Sequence, residues 1–421
     1  MTGGHVAVAD LGYGDAGKGT IVDALCGTGP VRAVLRFNGG AQAAHNVVAG
    51  GRHHTFAQFG SGTFHGVPTH LTRFVVVDPL ALAAEAAALG NPFHLLTVDE
   101  DALLATPWHR AANRVRERRR GGRRHGSCGM GIGQTMEYAL SHADAPRVAD
   151  TRSPHTLRRR LAAVRDRLTA TVGPLDAPPL DDVVAAFAAF GAAVSVVDGS
   201  FVRRLLGEGR CVFEGAQGVL LDEWRGWHPY TTWSTTTFDN VAALCDSFER
   251  LGVVRTYTTR HGPGPFVTEA PLDLPERHNG VGEWQGAFRV GHFDAVAHRY
   301  AVEVAGGVDA LAVTHLDAPA RCRELRVCTA YDAGGVRVER IAAGPARDLG
   351  HHARLTTMLT GARPARLYRP ADWAGEIGEL LGAPVRIESF GPGRADKRFS
   401  ALPGVSGRGP SAPARPLAPL S

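Results

Sequence analysis

Short apolar runs that suit buried strands alternate with longer stretches of helical periodicity along most of the chain. Strands are predicted at Val6–Ala9, Ala33–Phe37, Phe74–Val77, Phe93–Val98, Val194–Val197, Cys211–Phe213, Val253–Thr258 and Ala310–Thr314. Helices are predicted at Ile21–Leu25, Leu80–Leu89, Pro107–Arg119, Thr156–Thr171, Asp181–Phe190, Phe238–Leu251 and Phe293–Ala305. This alternation predicts an α/β fold in which helices flank a mostly parallel central sheet.

The same pattern predicts one large domain at residues 1–401, with smaller helical and hairpin subdomains. The hairpin is predicted from Arg326–Tyr331 and Val336–Val338, which flank the turn Asp332–Gly335. Residues 402–421 are mostly Gly, Pro, Ser and Ala, so a disordered tail is predicted there.

Composition argues against several classes of protein. No apolar run approaches the roughly 20 residues needed to cross a bilayer. The N-terminus lacks the charged and apolar regions of a secretion signal, so we expect a cytoplasmic protein with no membrane partner. The six cysteines are widely spaced and include no Cys-x-x-Cys pair, which favours reduced thiols.

The net charge of +5 is a mild excess, and arginines concentrate in the run Arg114–Arg124. Such a run could contact nucleic acid. No aromatic residue interleaves with it, and an Arg-rich helix end over solvent accounts for it. We therefore expect no nucleic-acid partner.

A glycine-rich turn after the first strand carries one of only two lysines in a chain with 46 Lys and Arg residues. The turn is Gly12–Thr20, and the predicted helix Ile21–Leu25 follows it. Strand, turn and helix start indicate a phosphate cradle, in which backbone N–H groups face the anion and Lys18 reaches the outer phosphates. Gly19 stands where a P-loop has Ser or Thr, which displaces the hydroxyl to Thr20. A turn that only looks like a P-loop is the alternative.

Further polar or glycine-rich segments recur along the chain. They are Arg36–Asn46, Gly126–Gly133, Phe213–Asp222, Pro229–Thr237, Thr258–Glu269, Pro107–Ala111, Cys328–Tyr331 and Ser389–Arg394. Taken in order, from about Val6 to Arg394, these segments resemble the adenylosuccinate synthetase family. The resemblance implies that family's P-loop-like fold and a homodimer.

Members of this family join the amine of aspartate to C6 of IMP while they hydrolyse GTP. The resemblance implies that Asp15 takes the N1 proton of the base and binds Mg²⁺ together with the backbone carbonyl of Ala44. His45 would stabilise or protonate the transferring phosphoryl group. The phosphates would lie against Lys18 and the backbone N–H groups of Gly14, Gly17, Gly19 and Thr20. Helix capping by Asp15 and a plain turn position for His45 are the structural alternatives.

The resemblance assigns binding of the nucleotide base to Thr314–Asp317, at the end of a predicted strand. In the family, the acidic residue matched by Asp317 accepts hydrogen bonds from guanine, and His315 replaces a lysine whose stem packs on the base. Ser389 and Gly391 would contact the base from the last loop. These positions favour GTP over ATP as the co-substrate.

The substrate side departs most from the family. The resemblance places the acceptor at Asn38, Gln42, Cys128, Gln217 and Thr232. Gln42 replaces an Asn that contacts IMP, and Cys128 replaces a Thr that binds its phosphate. A partner-subunit Arg expected near His142 is also absent from the sequence. The acceptor's phosphate is therefore held differently or is absent.

The segment that grips aspartate in the family is also altered. Gly282–His292 is shorter here and keeps one arginine, Arg289, while Met130 replaces another. One guanidinium can hold one carboxylate in bidentate fashion, whereas a dicarboxylate needs more positive charge. Either the amine donor is not aspartate, or other residues bind the second carboxylate of aspartate.

We predict a GTP-dependent C–N ligase that uses Mg²⁺, with IMP or a related lactam as acceptor and aspartate or an analogous amino acid as amine donor. A non-catalytic nucleotide-binding or regulatory relative is the alternative, and the retention of Asp15, Lys18 and His45 disfavours it. An unrelated P-loop NTPase would require the later motifs to be accidental.

Overall fold

Strands and helices alternate along the chain as the hydrophobic pattern predicts. The computed structural model describes residues 4–274, Glu276 and residues 279–400. The strands are β1 (Val6–Asp10), β2 (Ala33–Arg36), β3 (His45–Ala49), β4 (Arg52–Phe56), β5 (Thr69–Leu71), β6 (Val76–Val77), β7 (Leu96–Asp99), β8 (Leu103–Leu104), β9 (Ser195–Val197), β10 (Cys211–Glu214), β11 (Glu249–Arg255), β12 (Thr258–His261), β13 (Phe288–Gly291), β14 (Phe293–Asp294), β15 (Ala310–Thr314), β16 (Val327–Ala333), β17 (Val336–Val338), β18 (Arg363–Tyr368), β19 (Val385–Ser389) and β20 (Lys397–Phe399). The helices are α1 (Lys18–Gly27), α2 (Pro79–Ala88), α3 (Pro107–Arg120), α4 (Ile132–Ser141), α5 (Pro154–Val172), α6 (Leu180–Ala193), α7 (Ser200–Glu208), α8 (Asp239–Ala242), α9 (Ala295–Val304), α10 (Ala318–Arg321), α11 (Leu349–Gly361) and α12 (Trp373–Leu381).

The central layer is a ten-stranded sheet in the order β20-β19-β15-β11-β1-β10-β2-β5-β7-β9. Its neighbouring strands pair in parallel, except β19 with β20. All five residues of β1, near the middle, are buried, as expected for a strand covered on both faces. The predicted mostly parallel α/β fold is confirmed.

Smaller units flank this sheet. The helices α3, α5 and α6 pack on one another through a core that includes Trp108, Leu161 and Phe187. The predicted hairpin is confirmed, because β16 and β17 pair antiparallel with Asp332 opposite Arg337. The domain boundary at residue 401 stays a prediction, and the predicted tail at 402–421 lies outside the described residues.

One predicted helix is wrong. In the stretch Phe238–Leu251, only Asp239–Ala242 is an α-helix, and β11 already begins at Glu249. Leu251 is fully buried in a strand between β1 and β15. The pairing of this segment inside the sheet therefore overrides its helical periodicity.

Other predicted bounds shift at turns. The strand Phe74–Val77 is reduced to Val76–Val77, because Val75 closes a turn with the carbonyl of Thr72. The predicted strand Phe93–Val98 starts only at Leu96, after a short 3₁₀ turn.

Six neighbouring strands of the sheet each end on a buried polar residue. In sheet order from β19 to β2, these last residues are Ser389, Thr314, Arg255, Asp10, Glu214 and Arg36. The carboxyl ends of parallel strands meet at one edge, which is where open α/β sheets bind their ligands. The fold thus places polar groups in a row at the edge where a site is expected.

Candidate active site

A cavity of about 1000 Å³ opens at this edge of the sheet. The predicted site residues in its wall are Gly14, Asp15, Gly17, Lys18, Gly19, Thr20, Gln42, Ala44, His45, Cys128, Gln217, Thr232, His315, Asp317, Ser389 and Gly391. We call the part formed by Gly12–Thr20 and His45 the phosphate side. We call the part formed by Gln42, Gln134, Gln217, Thr232 and Trp233 the acceptor side. Segments that are far apart in the sequence therefore meet at one site.

The carboxylate of Asp10 holds the first glycine-rich turn in place. It accepts hydrogen bonds from the backbone N–H groups of Gly12 and Ala16, each at 2.8 Å, and lies 3.3 Å from Nζ of Lys18. Lys18 Nζ also donates to the backbone carbonyl of Gln217 at 2.6 Å. The lysine is 3% exposed, so the turn presents a buried positive charge in a fixed position.

Two glycines shape the turn. Gly14 and Gly17 both have a φ of 93°, in the left-handed region that favours glycine. Gly17 precedes α1 and has no side chain to cap it, so the first N–H groups of this helix remain available to an anion. Asp15 makes no capping hydrogen bond to α1 within the described part of the chain, which argues against a purely structural role for this residue.

Close packing around Gly19 explains why this position is not the Ser or Thr of a P-loop. A Cβ at this position would lie 2.8 Å from Cβ of His45 and 3.1 Å from its carbonyl carbon, too close for packed atoms. Glycine at position 19 therefore allows the glycine-rich segment Arg36–Asn46, which carries His45, to pack against the start of α1. The hydroxyl of Thr20 donates to the carbonyl of Pro392 at 2.7 Å, so it ties α1 to the last loop.

His45 forms a buried pair with Glu214, the last residue of β10. His45 Nδ1 lies 2.6 Å from Glu214 Oε1, and Ser61 donates to the same carboxylate through its N–H and its hydroxyl. Burial acts to raise the pKa of Glu214, but the charge of Arg36, the neighbouring His45 and these hydrogen bonds lower it to about 2. Burial also lowers the pKa of His45, more than Glu214 raises it. A neutral imidazole that donates its Nδ1–H to an ionised carboxylate satisfies both groups.

Asp15 lies on the other flank of the turn, with a φ of 59°. Its carboxylate is 3.6 Å from Nδ1 of His261, and Arg255 Nε donates to its backbone carbonyl at 2.5 Å. Burial would raise the pKa of Asp15, but the neighbouring His261 and the charges of Arg255 and Lys18 outweigh it and lower the pKa. Asp15 is therefore ionised at neutral pH and able to accept a proton.

The residues assigned to the nucleotide base follow β15. His315 has a φ of 57°, and its ring meets Tyr257 edge-on, with centroids 5.4 Å apart. Burial lowers the pKa of His315 well below its usual value, so the ring is neutral. Asp317 pairs with Arg321 of α10 at 3.0 Å. A neutral ring and a carboxylate thus border the same part of the cavity.

The last loop is fixed by the second lysine of the chain. Lys397 Nζ donates to the carbonyls of Gly391 at 2.6 Å and Gly393 at 2.9 Å. Burial lowers the pKa of Lys397 to about 8. The backbone carbonyl of Ser389 accepts from Leu316 at 3.0 Å, which joins this loop to the one after β15.

The acceptor side has fewer internal contacts. Gln217 Nε2 donates to Thr232 Oγ1 at 2.6 Å, but both amide atoms of Gln42 are buried without a hydrogen-bond partner among the described residues. Burial raises the pKa of Cys128, so this side chain is a neutral thiol.

Two predicted substrate residues, Asn38 and Arg289, are not among the described residues that line the cavity. Asn38 exchanges two hydrogen bonds with the backbone of Ala216 and so supports the turn that carries Gln217.

The guanidinium of Arg289 is hydrogen-bonded to groups of the protein itself. Its guanidinium donates to the carbonyls of Gly262 at 2.7 Å and Gly264 at 2.9 Å, and to the carboxylate of Glu269 at 2.7 Å. The structure does not bring this arginine to the predicted substrate site.

Part of the arginine run packs on an aromatic ring, while Arg118, Arg119 and Arg120 at the end of α3 are exposed. The guanidinium carbons of Arg114, Arg118 and Arg124 lie 5.5, 5.0 and 6.0 Å from the ring centroid of Trp284. These are cation–π distances.

The sequence patterns assign no role to Asp10, Glu214, Arg255 or His261, which organise the site. A signal for three of them exists in the sequence. Asp10, Glu214 and Arg255 each end an apolar strand, and a charged residue at that position belongs to the ligand edge of a parallel sheet.

Comparisons with known proteins identify the family of the chain. A profile of the family described as adenylosuccinate synthetase matches residues 7–397. The chain is 36% identical over 414 residues to the adenylosuccinate synthetase of Frankia alni, covering 91% of this chain and 95% of that protein. It is 32% identical over 422 residues to that of Thermobifida fusca, covering 92% and 97%. The chain belongs to the adenylosuccinate synthetase family.

Solved structures show the same fold. The fully ligated adenylosuccinate synthetase of Plasmodium falciparum superposes with a TM-score of 0.83 at 21% identity, covering 95% of this chain and all of that one. The succinoaminodeoxyadenylate synthetase (PurZ) of cyanophage S-2L, bound to dGMP and dATP as an energy donor, gives a TM-score of 0.60 at 19% identity, covering 95% and 96%.

Membership of the adenylosuccinate synthetase family confirms the predicted class of enzyme, a ligase that acts on small molecules. Among the described residues, no helix is both long and apolar enough to cross a bilayer.

Proposed function

We propose that this chain is a GTP-dependent ligase that phosphorylates the 6-oxo group of IMP or a related lactam, after which the amine of an amino acid displaces phosphate. The arrangement that carries the proposal is the convergence of Asp15, Lys18 and His45 on one cavity. Each of the three is held by a charged partner: Asp15 by His261, Lys18 by Asp10 and His45 by Glu214.

In the first step, the carboxylate of Asp15 accepts the N1 proton of the lactam, which makes the 6-oxygen nucleophilic. That oxygen attacks the γ-phosphorus of GTP, and GDP leaves. Lys18 and the N–H groups at the start of α1 hold the phosphates during the transfer, so catalysis depends on position and charge. The negative triphosphate favours the protonated form of His45, which then donates Nε2–H to the transferring group.

In the second step, the amine nitrogen attacks C6, the C6–O bond breaks and phosphate leaves with the former 6-oxygen. The amine loses a proton, and the new C–N bond remains. Phosphorylation is required because the oxygen of a lactam is a poor leaving group.

The donor set at the phosphate side suits Mg²⁺. The ion prefers oxygen ligands and commonly takes one or two carboxylates together with substrate phosphates. Asp15 offers a carboxylate and Ala44 a backbone carbonyl in the same cavity wall, and no group of three or more His, Cys, Asp or Glu side chains among the described residues forms a separate metal site. Bound there, Mg²⁺ would neutralise charge on the phosphates.

The test is a product assay with GTP, Mg²⁺, IMP and a panel of amino acids, read by mass spectrometry. We expect GDP, phosphate and a conjugate whose mass equals the sum of acceptor and amine less water. A chain that binds GTP but consumes none with any oxo-heterocycle would instead be a non-catalytic relative. The preference for GTP over ATP, the homodimer and the cytoplasmic location stay predictions, and a nucleotide panel and light scattering check the first two.

A further inference from the structure

We propose that Lys397 is a positioning residue that determines the choice of nucleotide. Its ammonium group occupies backbone carbonyls of the last loop, residues 389–394, that would otherwise accept hydrogen bonds from the 6-amino group of an adenine. The nucleotide selected in this way carries a 6-oxopurine base. The inference rests on the proposed function, because it assigns a specificity-determining residue to the nucleotide part of the same site.

The last loop reaches the cavity beside the residues that follow β15. Residues 389–392 line the cavity, and so do His315 and Asp317. The N–H of Leu316 donates to the carbonyl of Ser389 at 3.0 Å, which joins the two loops. A base that contacts one of these loops therefore lies beside the other.

Lys397 acts on this loop from outside the cavity. It is the first residue of β20 and lies opposite Ser389 in the antiparallel pairing with β19. Its side chain is 8% exposed, and Nζ donates to the carbonyls of Gly391 at 2.6 Å and Gly393 at 2.9 Å. Lys397 is not among the described residues that line the cavity. Its effect on a nucleotide is therefore transmitted through the loop.

The side chain of Lys397 carries its charge at neutral pH. Burial lowers its pKa to about 8, while the charges of Asp396 and Asp23 act to raise it. An ammonium group has three N–H donors and no acceptor, and hydrogen bonds from a charged donor are about twice as strong as those between neutral groups. The neutral amino group of a base is therefore a poor competitor for the same carbonyls.

Other groups of the protein complete the engagement of the loop carbonyls. The carbonyl of Gly391 also accepts from the hydroxyl of Ser389 at 3.2 Å, so both of its lone pairs are used. The carbonyl of Pro392 accepts from the hydroxyl of Thr20 at 2.7 Å, and that of Ser389 accepts from Leu316. A hydrogen-bond donor on the base finds these three carbonyls already engaged.

The N–H groups of the loop are used differently. Phe390 and Gly393 donate to the carbonyl and the carboxylate of Asp396, at 3.0 and 2.8 Å, but the N–H of Gly391 has no acceptor among the described residues. Gly391 thus offers a donor and withholds its acceptor. This polarity suits the 6-oxygen of a guanine, which accepts, and opposes the 6-amino group of an adenine, which donates.

The experiment measures the binding of GDP, ADP and inorganic tripolyphosphate to the full chain by calorimetry, with Mg²⁺ at pH 7. We expect the wild type to bind GDP at least about 10-fold more tightly than ADP. K397M keeps the length of the side chain but removes its charge and its donors. It should reduce this preference to about 2-fold or less, through weaker binding of GDP and tighter binding of ADP. Binding of tripolyphosphate, which has no base, should not change.

Two further variants serve as controls. K397R retains a cation with N–H donors and should keep most of the preference for GDP. R159M removes one positive charge from an exposed position of α5 and should change none of the three affinities. Thermal unfolding checks that each variant is folded, and the comparison of GDP with ADP on the wild type requires no variant.

The outcomes separate the inference from the proposed function. Equal or tighter binding of ADP by the wild type overturns the inference. An unchanged preference in K397M also overturns it, as does an equal loss of all three ligands, which is the effect of a lysine with only a structural role. Product formation from GTP together with either result leaves the ligase in place. A preference for GDP that K397M relaxes, without product from any acceptor and amine, supports the role of Lys397 and removes the ligase.

Discussion

The phosphate side and the acceptor side of the cavity differ in how far the protein satisfies its own polar groups. On the phosphate side, Asp10 accepts from the turn and from Lys18, and Glu214 accepts from His45 and from Ser61. On the acceptor side, four amide atoms of three glutamines are buried without partners among the described residues.

This difference indicates which part of the reaction the protein fixes in advance. A site that must stabilise a phosphoryl transfer gains from charges that need no rearrangement when the reaction occurs. A site that selects a ligand can leave its hydrogen bonds to be completed by that ligand. The phosphate side therefore determines the reaction, and the acceptor side determines its substrate.

The largest effect on activity is expected when the proton acceptor of the phosphate side is removed. Asp15→Asn keeps the size of the side chain, and Asn tolerates the φ of 59° at this position. We expect the rate of product formation to fall by about 10²–10⁴-fold, because a positioned general base contributes that much. Thermal unfolding should confirm that the variant is folded. Product formed at an undiminished rate would show that Asp15 is not the base.

A second change tests whether the phosphate side depends on close packing of its two turns. Gly19→Ser restores the residue type of a P-loop but places a Cβ 2.8 Å from that of His45. We expect a loss of about 1–3 kcal/mol in the free energy of unfolding, as for other overpacked sites, and a lower rate of GTP turnover. Gly29→Ser is the matched control, since a Cβ there has no neighbour within 4 Å. Equal stability and turnover of the two variants would contradict the packing argument.

Residue patterns alone predict the parts of this site that lie within one contiguous segment, whereas the family resemblance predicts the residues on distant segments. Lys18 and Asp15 share a turn whose glycines and position after a strand identify it. The pair His45 and Glu214 joins residues 169 positions apart, and only the order of strands in the sheet brings them together. No local pattern contains that information.

The same limit explains one incorrect prediction, the helix at Phe238–Leu251, and the position of Arg289 away from the cavity wall. Arg289 is the arginine retained in its segment, yet three acceptors on the preceding loop occupy its guanidinium. The stretch Phe238–Leu251 has helical periodicity, yet its end fills a strand position next to β1. Both outcomes depend on tertiary contacts, which outweigh local preference.

The smallest expected effect concerns the pH dependence of the pair on the phosphate side. The pKa of Glu214 is about 2 in the folded protein, below its ordinary value of 4.5. A carboxyl group whose pKa is depressed by folding contributes stability that is complete above the ordinary value and is lost as the pH falls through the folded value. Comparing the wild type with Glu214→Gln isolates this contribution from those of the other carboxyl groups. We expect the stability advantage of the wild type to shrink as the pH falls from about 4.5 toward about 2. Chemical denaturation at a series of pH values measures it, and an advantage that stays constant over this range would mean that Glu214 is not held as an ion by Arg36 and His45.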